Sequence, residues 1–538
     1  MQHWFHSSLV PLCRRLTAWR RADRLWFLAI LLIGIAVRVF ARDSVPNGFN
    51  QDEASLGYDA WAILNYGVDR HGIAYPAFLI GWGSGMNALS AYLAMPFVAL
   101  FGLTEGAVRA VNLLGGIASL AIFYLVVRRL GDAKLALWAA FLLAICPWHI
   151  MMSRWALESN LLPTVFLVGI WFLLKGIGRP GFLVSAGLSF AFALYAYGTA
   201  YFAVPVFLVM ASCYLIWTRR IRWGWYGAAA VLFTIVATPI AAVIWTNQVH
   251  GGSFSLAGIG IPEMPTMPRY KIVSSLFGPH ALEHCKQNLA TLWALFIKQD
   301  DGLFWNALPG YGLVYPIGAC LTLLGLLSDL QTVRPRRAFQ PRVLMLLWLV
   351  TAVALAAIQE GNINRLNLIW LPVVYYAAAG IRAAANSRVV AVGVVAIHLA
   401  FFASFASTYF GDYRERTASA FFPSFGQAVN VASESVPGKV CVTNSVCFPY
   451  ALVLFYERTD PREFAKTVAY EPGGGEFQSV ASFGRFTFGL DHCPADTQAF
   501  VVENSGVDRF RDRVASVQSF SDYSVIVAKA RKTEVAEP

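Results

Sequence analysis

A series of apolar stretches, each close to the ~20 residues that a helix needs to cross a bilayer, runs from about residue 25 to about residue 408. Trp and Tyr residues often stand near the ends of these stretches, as they do at membrane interfaces. The composition agrees, because 57% of the residues are hydrophobic and only 14% are charged. A soluble globular domain does not have this balance. The pattern therefore predicts a polytopic α-helical membrane protein.

The net charge of +11 comes from basic residues that form short clusters between the apolar stretches. These clusters occupy every second loop and comprise Arg14, Arg15, Arg20, Arg21, Arg24, Arg128, Arg129, Lys134, Lys175, Arg179, Arg219, Arg220, Arg222, Arg334, Arg336, Arg337, Arg342, Arg382 and Arg388. The positive-inside rule assigns those loops to the cytoplasm, so the alternate loops, which carry Asp52, Glu158, Asp300 and Arg365, face outward. The clusters do not form one basic surface, which argues against nucleic-acid binding.

Eleven membrane helices satisfy this alternation of charge. They are expected at residues 25–42, 106–128, 134–150, 161–175, 181–197, 201–217, 225–246, 311–328, 343–358, 366–382 and 389–407. An odd number connects a basic cytoplasmic N-terminus, residues 1–24, to an external C-terminus, and the first helix reads as retained rather than as a signal peptide. The apolar segment 88–101 is assigned to the membrane surface, because another crossing there would invert the charge pattern.

The resulting organisation is a transmembrane region at 25–408, with external loops at 43–105 and 247–310, followed by a tail at 409–538. The tail is the least hydrophobic part and is predicted to be a small external α/β domain. Its short β-type runs are 439–443, 451–456, 500–503 and 523–528, and its helix is 422–433. Two external cysteines are compatible with a disulfide, and Cys447 with Cys493 or with Cys441 are the pairs considered; spacing leaves the connectivity open.

Two adjacent acids, Asp52 and Glu53, follow the first apolar stretch and open a segment, 51–66, with helical spacing. The structural explanation is that Asp52 is the N-cap of this helix. One carboxylate is enough for a cap, so the pair also fits a functional site at the bilayer surface. The sequence leaves both interpretations of Asp52 open.

A second external acid, Glu158, follows Arg154 by one helical turn. The structural explanation is an i,i+4 ion pair on a short interfacial helix. The functional explanation is that ionisable residues at membrane depth mark sites of chemistry or transport.

Several short motifs connect these acids to a known family. They are Asp-Glu-Ala-Ser-x-Gly-Tyr-x-Ala at 52–60, the turn from Gly67 to Gly72, the stretch 101–109, Pro147-Trp148-His149-Ile150, Ser153-Arg154-x-Ala-x-Glu158 and Asn364-Arg365. In order and spacing they resemble bacterial relatives of the protein O-mannosyltransferases. That family belongs to the GT-C superfamily of lipid-phosphate-sugar-dependent glycosyltransferases, which also includes the aminoarabinose transferases. The resemblance covers roughly residues 20–410.

The resemblance implies a GT-C fold and transfer of a sugar from a polyprenyl-phosphate donor to a protein, lipid or polysaccharide acceptor. The expected place is the external face of the bacterial plasma (inner) membrane. The two external acids of the family match Asp52 and Glu158. A carboxylate beside the acceptor hydroxyl can serve as a base, so Asp52 is the expected base, with Glu53 or Glu158 positioning acceptor or sugar. Attack from the face opposite the lipid phosphate would invert the anomeric centre.

The departing phosphate requires positive charge. Arg365 is the first choice for that role, followed by Arg154, Arg269 and Lys271, although a snorkelling arginine is the structural alternative for Arg365. Many relatives carry a Pro-rich stretch with a Lys where this chain has the glycine-rich loop 81–87. Trp82 in this loop and Tyr58 in the matched motif are expected to bind substrate, although a simple connecting loop is the alternative. The need for a divalent metal stays open, and no metal ligands are assigned.

Two other functions compete with glycosyl transfer. His280, Glu283 and His284 match the His-x-x-Glu-His pattern of inverted zinc peptidases, but the pattern is short and no third ligand stands out. A transporter or lipid flippase is the main alternative. It predicts acids inside the membrane helices and paired broken helices, whereas the acids here gather in external loops.

Overall fold

The computed structural model describes residues 21–272, 280–333, 338–472 and 477–529. The first twenty residues of the basic N-terminus, the arginines within 334–337 and the glycine run at 473–475 lie outside the described residues. The chain divides into two compact units. The first unit comprises Met1–Arg42, Val111–Ala241 and Tyr270–Asp412, and the second comprises Asp43–Ala110, Ala242–Arg269 and Tyr413–Pro538.

Helices dominate both units. In chain order they are α1 (Arg21–Val39), α2 (Gln51–Tyr66), α3 (Leu89–Phe101), α4 (Glu105–Leu130), α5 (Ala133–Ile145), α6 (Pro147–Met152), α7 (Glu158–Gly178), α8 (Phe182–Ala193), α9 (Ala200–Trp217), α10 (Trp223–Val249), α11 (Arg269–Ile272), α12 (Ala281–Lys298), α13 (Gly318–Thr332), α14 (Arg342–Ile358), α15 (Trp370–Ala384), α16 (Arg388–Phe410), α17 (Tyr413–Arg416), α18 (Ala418–Phe421), α19 (Phe425–Ser435), α20 (Pro449–Glu457) and α21 (Pro461–Thr467). The strands are β1 (Phe78–Leu79), β2 (Met86–Asn87), β3 (Phe254–Leu256), β4 (Ile259–Ile261), β5 (Val440–Val442), β6 (Ala469–Tyr470), β7 (Val480–Phe483), β8 (Phe486–Phe488), β9 (Ala499–Glu503), β10 (Val514–Ser519) and β11 (Tyr523–Ala528).

Each of the eleven stretches predicted to cross the membrane contains a helix. Within the described part of the chain, five helices are long and apolar enough to span a bilayer, namely α4, α7, α9, α10 and α16. The chain is thus a multi-pass membrane protein, and the number of eleven crossings stays a prediction. One predicted helix, 134–150, divides into α5 and α6 at Pro147, because the residue before a proline is pushed out of the helical region. Cys146 accordingly has φ −64° and ψ 119°.

Helices of the first unit approach each other closely at small residues, as is common in membrane proteins. A Cβ added to Gly325 of α13 would meet the backbone of Tyr376 in α15, and one added to Gly380 would meet the backbone of Leu321. Buried polar groups also connect helices. Arg38 of α1 donates to the carbonyls of Ala144 and Leu143 at 3.0 Å each.

The second unit is built around α2, which packs against α3 and α20. The helix predicted over 51–66 is confirmed as Gln51–Tyr66. The helical spacing of this segment gives an apolar face of Leu56, Ala60, Ile63 and Leu64, of which the first three are buried and Leu64 is exposed. Segment 88–101 forms α3, and its location on the membrane surface stays a prediction.

A mixed sheet of seven strands forms the core of the tail, in the order β10-β11-β9-β5-β8-β7-β6. β5 lies in the middle and pairs in parallel with β8 and β9, while the other neighbours are antiparallel. The predicted strands at 439–443, 500–503 and 523–528 and the predicted helix at 422–433 are confirmed as β5, β9, β11 and α19.

Two expectations for the tail are wrong. Residues 451–456 belong to helix α20 rather than to a strand, because Pro449 occupies the first turn of a helix whose residues 449–455 are all buried. The disulfide joins Cys441 and Cys493, whose Cα atoms are 5.7 Å apart, a normal separation for such a bond. Cys447 is a free thiol. Cys441 is in β5 and Cys493 follows a short 3-10 helix at Leu490–His492, so the sheet brings the pair together.

Candidate active site

The start of α2 separates the two adjacent acids. Asn50, not Asp52, is the N-cap, and its side-chain oxygen accepts a hydrogen bond of 2.9 Å from the backbone N–H of Asp52. Glu53 completes a capping box by accepting a 3.1 Å hydrogen bond from the backbone N–H of Asn50. The expected N-cap role of Asp52 is therefore wrong, because its neighbours on both sides satisfy the helix end.

Glu53 also forms a buried ion pair. The Arg109 guanidinium donates to both oxygens of Glu53, at 2.8 and 2.7 Å. The same guanidinium donates to the carbonyls of Pro46 and Gly48. A bidentate pair of this kind holds both partners in one geometry. Glu53 thus orders the helix start and the chain before it, and the sequence argument missed Arg109 although it stands in the quoted stretch 101–109.

Asp52 has a different environment. Its carboxylate is half-buried and accepts a hydrogen bond of 3.0 Å from the indole N–H of Trp82. The Trp82 side chain is buried, with 2% exposure. The indole therefore orients one carboxylate oxygen of Asp52. The sequence placed both residues in one candidate site, and this hydrogen bond is consistent with that expectation.

The loop that carries Trp82 is closed by a short hairpin between β1 and β2. Gly85 has φ +104°, and a Cβ at this position would collide with the ring of Phe78, so glycine is required there. The loop backbone is held from two sides. Thr266 N–H donates to Gly83 O at 3.1 Å, and Gln478 N–H donates to Trp82 O at 2.8 Å.

Arg269 adds positive charge to this site. Its backbone N–H donates to Ser84 O at 2.8 Å, and its guanidinium lies over the ring of Phe477, 5.8 Å from the centroid. Burial raises the pKa of Asp52 above its usual value, while the charge of Arg269 and then the Trp82 hydrogen bond lower that pKa, and the charge of Glu53 raises it. The carboxylate of Asp52 is thus poised between burial and positive charge, a combination found at functional sites.

Trp82, which contacts Asp52, is the first of three aromatic rings that contact one another. Trp82 stacks on Phe448 with ring centroids 4.4 Å apart, and Phe448 meets Phe477 edge to face at 5.8 Å. Phe448 and Phe477 lie in the tail, which the sequence argument treated as a separate domain without site residues. The only sequence signal for them is that Phe448 precedes the proline at the start of α20.

Tyr58 lies on the same helix but serves a different contact. Its hydroxyl donates to Thr459 O at 2.6 Å, and its ring is fully buried. Beside it, the buried Arg70 pairs with Asp59 at 2.7 Å and lies 6.0 Å from the Trp82 ring centroid. Tyr58 thus has a packing role. The ion pair next to it places the Arg70 guanidinium over the Trp82 ring.

Asp69 belongs to the same turn as Arg70. Burial and then the charge of Asp59 raise the pKa of Asp69 to about 7. One of its oxygens accepts hydrogen bonds of 2.9 Å from the N–H groups of His71 and Ile73. These contacts shape the turn after α2, and the sequence argument quoted the turn only for its glycines.

The remaining predicted site residues, Arg154, Glu158, Lys271 and Arg365, belong to the first unit. Residues 153–157 are not helical, so the expected helical i,i+4 relation between Arg154 and Glu158 is wrong. Arg154 instead donates to the carbonyls of Val37, Arg38 and Ala41, at 2.8 to 3.1 Å.

Glu158 is buried and begins α7. The Asn112 side chain donates to the carbonyls of Trp155 and Leu157, at 2.9 and 3.0 Å, and so fixes the chain just before it. Arg365 is 22% exposed and lies 3.7 Å from Glu360. Lys271 is half-buried in α11. The sequence-predicted residues that come together in the second unit are thus Asp52, Glu53, Tyr58, Trp82 and Arg269.

The peptidase-like pattern has no metal-site geometry. His280 precedes α12 with φ +73°, and Glu283 and His284 lie in its first turn. Across the described ranges, no group of three or more His, Cys, Asp or Glu side chains is placed to hold a metal ion.

Two kinds of likeness connect this chain to known proteins, one in sequence and one in fold. The family of dolichyl-phosphate-mannose-protein mannosyltransferases matches residues 88–245. ArnT from Cupriavidus metallidurans in the apo state superposes with a TM-score of 0.54 at 13% identity, over 94% of this chain and 98% of ArnT. The chain has the fold of ArnT. The structure of ArnT bound to undecaprenyl phosphate gives the same TM-score, identity and coverage.

The GT-C fold predicted from the sequence, with apolar helices followed by a C-terminal sheet domain, is confirmed by the likeness to ArnT. AglB from Archaeoglobus fulgidus, in complex with an inhibitory peptide and a dolichol-phosphate, matches at 13% identity with a TM-score of 0.44, over 89% of this chain and 76% of AglB. The fold assignment rests on ArnT. No curated protein matches this sequence.

Proposed function

We propose that this protein is a membrane glycosyltransferase that moves a sugar from a polyprenyl-phosphate donor to an acceptor hydroxyl, with inversion. The observation that supports it best is the half-buried carboxylate of Asp52, held by the Trp82 indole and close to the positive charge of Arg269. The family match to mannosyltransferases and the ArnT complex with undecaprenyl phosphate support the donor class.

In this reaction, the carboxylate of Asp52 takes the proton of the acceptor hydroxyl. The acceptor oxygen forms a bond to the anomeric carbon as the bond from that carbon to the phosphate oxygen breaks. The leaving phosphate carries the electron pair away, and a nearby guanidinium stabilises its charge. Arg269 is the best candidate for this role, because its charge acts on Asp52 itself.

The other predicted residues receive more limited roles. Glu53 positions the start of α2 through Arg109 rather than touching the substrate. Glu158 stays a candidate for positioning acceptor or sugar, and Arg365, Arg154 and Lys271 stay candidates for phosphate contacts. Tyr58 supports the site from the protein side.

We also infer that the tail and the Asp52 site are on the external face of a bacterial inner membrane. The alternation of arginine clusters supports this placement. The disulfide between Cys441 and Cys493 is compatible with it, because disulfides persist in oxidising compartments. Nucleotide sugars are made in the cytoplasm, so an external transferase requires a donor carried by the bilayer.

Replacement of Asp52 by Asn tests the function. The amide keeps an oxygen for the Trp82 indole but cannot take a proton, so we expect transfer to fall by roughly 10²–10⁴-fold. Transfer is measured in membranes supplied with undecaprenyl phosphate mannose or undecaprenyl phosphate aminoarabinose. Asp508→Asn, which changes an acid with 76% exposure in the same unit, is the matched control.

The outcomes separate the candidates. Transfer by Asp52→Asn at the wild-type rate would remove Asp52 as the base. If the unaltered protein transfers sugar from neither donor but moves the lipid-linked sugar across the bilayer, the transporter alternative is favoured.

A further inference from the structure

The three rings beside Asp52 form a continuous surface, called here the aromatic wall: Trp82, Phe448 and Phe477. Trp82 and Phe448 are nearly parallel, with an interplanar angle of 24°, and Phe477 stands at 73° to Phe448. Exposure increases along the wall, from 2% at Trp82 to 39% at Phe477. The aromatic wall therefore leads from the half-buried carboxylate of Asp52 to solvent.

Several contacts connect the aromatic wall to the reactive group. Trp82 donates to Asp52, and Arg269 lies over the outer ring, Phe477. Cys447, an exposed thiol beside Phe448, is close enough to Asp52 for that negative charge to add to burial in raising the pKa of the thiol. The tail thus contributes a side of the site that already contains Asp52.

Phe448 has an unusual backbone conformation for a bulky residue. Its φ is +48°, in the left-handed region, and it is followed directly by Pro449 at the start of α20. Such a conformation is strained for a residue other than glycine, and strained residues are concentrated at functional sites. Here it places the ring against Trp82.

Two polar atoms near Asp52 have no hydrogen-bond partner among the described residues. They are the buried Oγ of Ser84 and the buried Oε1 of Gln51. Ser84 is fully buried, and its own carbonyl accepts from Arg269. Buried polar atoms are normally paired, so unpaired ones beside a reactive group point to a ligand that pairs with them. Aromatic faces with a few polar groups are typical of small-ligand sites.

We propose that the aromatic wall binds the acceptor and that the acceptor is a saccharide, whose ring stacks on Phe477 and Phe448 while one hydroxyl reaches Asp52. This assignment rests on the proposed function. The apolar C–H face of a pyranose complements an aromatic ring, and its hydroxyls can pair with Ser84 and Gln51.

A peptide acceptor is less compatible with this surface. Peptides commonly add a strand to an exposed sheet edge. The sheet edge nearest in sequence to Phe477 is β6, which has only two residues, Ala469 and Tyr470. So short an edge offers few backbone hydrogen bonds.

The test uses Cys447 as a reporter in the full-length protein. N-ethylmaleimide adds to this exposed thiol, and Cys447→Ser measures the background from the other thiols. The probes are hexasaccharides of mannose, glucose and galactose, each compared with a serine- and threonine-rich hexapeptide. Phe477→Ala removes the outer ring, and Phe254→Ala is the matched control, since both phenylalanines are 39% exposed in the same unit.

We expect at least one hexasaccharide to slow alkylation of Cys447 in the unaltered protein and in Phe254→Ala. In Phe477→Ala, the concentration needed for that protection should rise about fivefold or more, as expected for the loss of a stacked ring. Cleavage of undecaprenyl phosphate mannose by water, measured in parallel in the unaltered protein and in Phe254→Ala, reports the donor reaction and should be equal in these two proteins.

Protection by the hexapeptide alone, or by no hexasaccharide, overturns the saccharide assignment. Equal protection of Phe477→Ala and Phe254→Ala overturns the role of the aromatic wall. Failure of the donor reaction with intact saccharide protection would instead count against the proposed function and leave the binding site standing.

Discussion

The starts of α2 and α7 form an informative comparison, because both helices begin with an acid that the sequence motifs single out. At α2, Asn50 and Glu53 make a capping box and leave Asp52 to the Trp82 indole. At α7, the N-cap is Leu157, whose side chain makes no cap hydrogen bond, and Glu158 itself occupies the first turn. One helix start thus has separate residues for capping and for chemistry, and the other does not.

The difference shows how a chain can expose a carboxylate at a helix start without losing the helix. An acid there is stabilised by the positive end of the helix, which favours its ionised form. A base for glycosyl transfer needs to be ionised, and its oxygens must not be occupied by hydrogen bonds from backbone N–H groups. Asn50 and Glu53 satisfy that condition for Asp52, while Glu158 provides the only acid in the first turn of α7.

Breaking the ion pair between Glu53 and Arg109 should have the largest effect on stability. Glu53→Gln removes the negative partner of Arg109 and leaves a buried guanidinium without compensation, so we expect destabilisation by about 3–5 kcal/mol. The measurement is thermal unfolding in detergent. Asp508→Asn, which breaks an exposed pair with Arg511, should unfold like the unaltered protein. If Glu53→Gln is as stable as Asp508→Asn, Glu53 does not have the structural role that distinguishes it from Asp52.

Changing the groups that hold Asp52 should alter activity and its pH dependence. Trp82→Phe keeps a ring against Phe448 but removes the hydrogen bond that lowers the pKa of Asp52, and Arg269→Gln removes the charge that lowers it more. The base must be ionised, so the acidic limb of the pH–rate profile should move to higher pH in both variants, and further in Arg269→Gln. At neutral pH we expect about a tenfold loss of transfer for Trp82→Phe.

A control variant shows whether a shift of the acidic limb is specific to the groups that contact Asp52. Phe254→Ala leaves both groups in place and should keep the acidic limb of the unaltered protein. If neither Trp82→Phe nor Arg269→Gln moves that limb, the group that titrates is not Asp52.

Adding a cap to α7 should have the smallest effect. Leu157 has φ −86° and ψ 135°, the backbone conformation typical of an N-cap. Leu157→Ser supplies the missing acceptor oxygen and should stabilise the protein by about 1 kcal/mol relative to Leu157→Ala, which lacks it. Thermal unfolding of the two variants measures the difference. Equal stability would mean that the N–H groups of α7 are already satisfied.

Helical structure was largely predictable because it depends on local composition. The apolar stretches and helix 51–66 followed from composition and spacing, and the GT-C fold followed from the resemblance to a known family. The exceptions have local causes that were readable in hindsight, such as Pro147 between α5 and α6 and Pro449 at the start of α20. Residues 451–456 have the β-type composition of a strand, but they belong to helix α20. This helix is buried at residues 449–455 and contacts α2.

The candidate site was predictable only in part. Asp52, Glu53, Trp82 and Arg269 were named from the motifs and the loops, but Arg109, the partner of Glu53, and Phe448, the partner of Trp82, were not. Arg109 reaches Glu53 across 56 residues of sequence. Phe448 reaches Trp82 from the other end of the chain. No local pattern reports contacts over such separations.

The disulfide illustrates the same limit. Sequence spacing left the pairing of the predicted external cysteines open, and both pairs considered included Cys447. The actual bond depends on β5 lying in the middle of the sheet, which sets Cys441 within 5.7 Å of Cys493.

The sequence alone determines a multi-pass membrane protein and predicts two conspicuous acids in external loops, because hydrophobic length and charge distribution are properties of consecutive residues. Which of the adjacent carboxylates is available for chemistry depends on folding. Glu53 is occupied because Arg109 and the Asn50 N–H come to it in space, and Asp52 is oriented because a glycine-rich loop delivers Trp82. Two neighbours in sequence thus acquire different roles from the groups that the fold brings within hydrogen-bond distance of each.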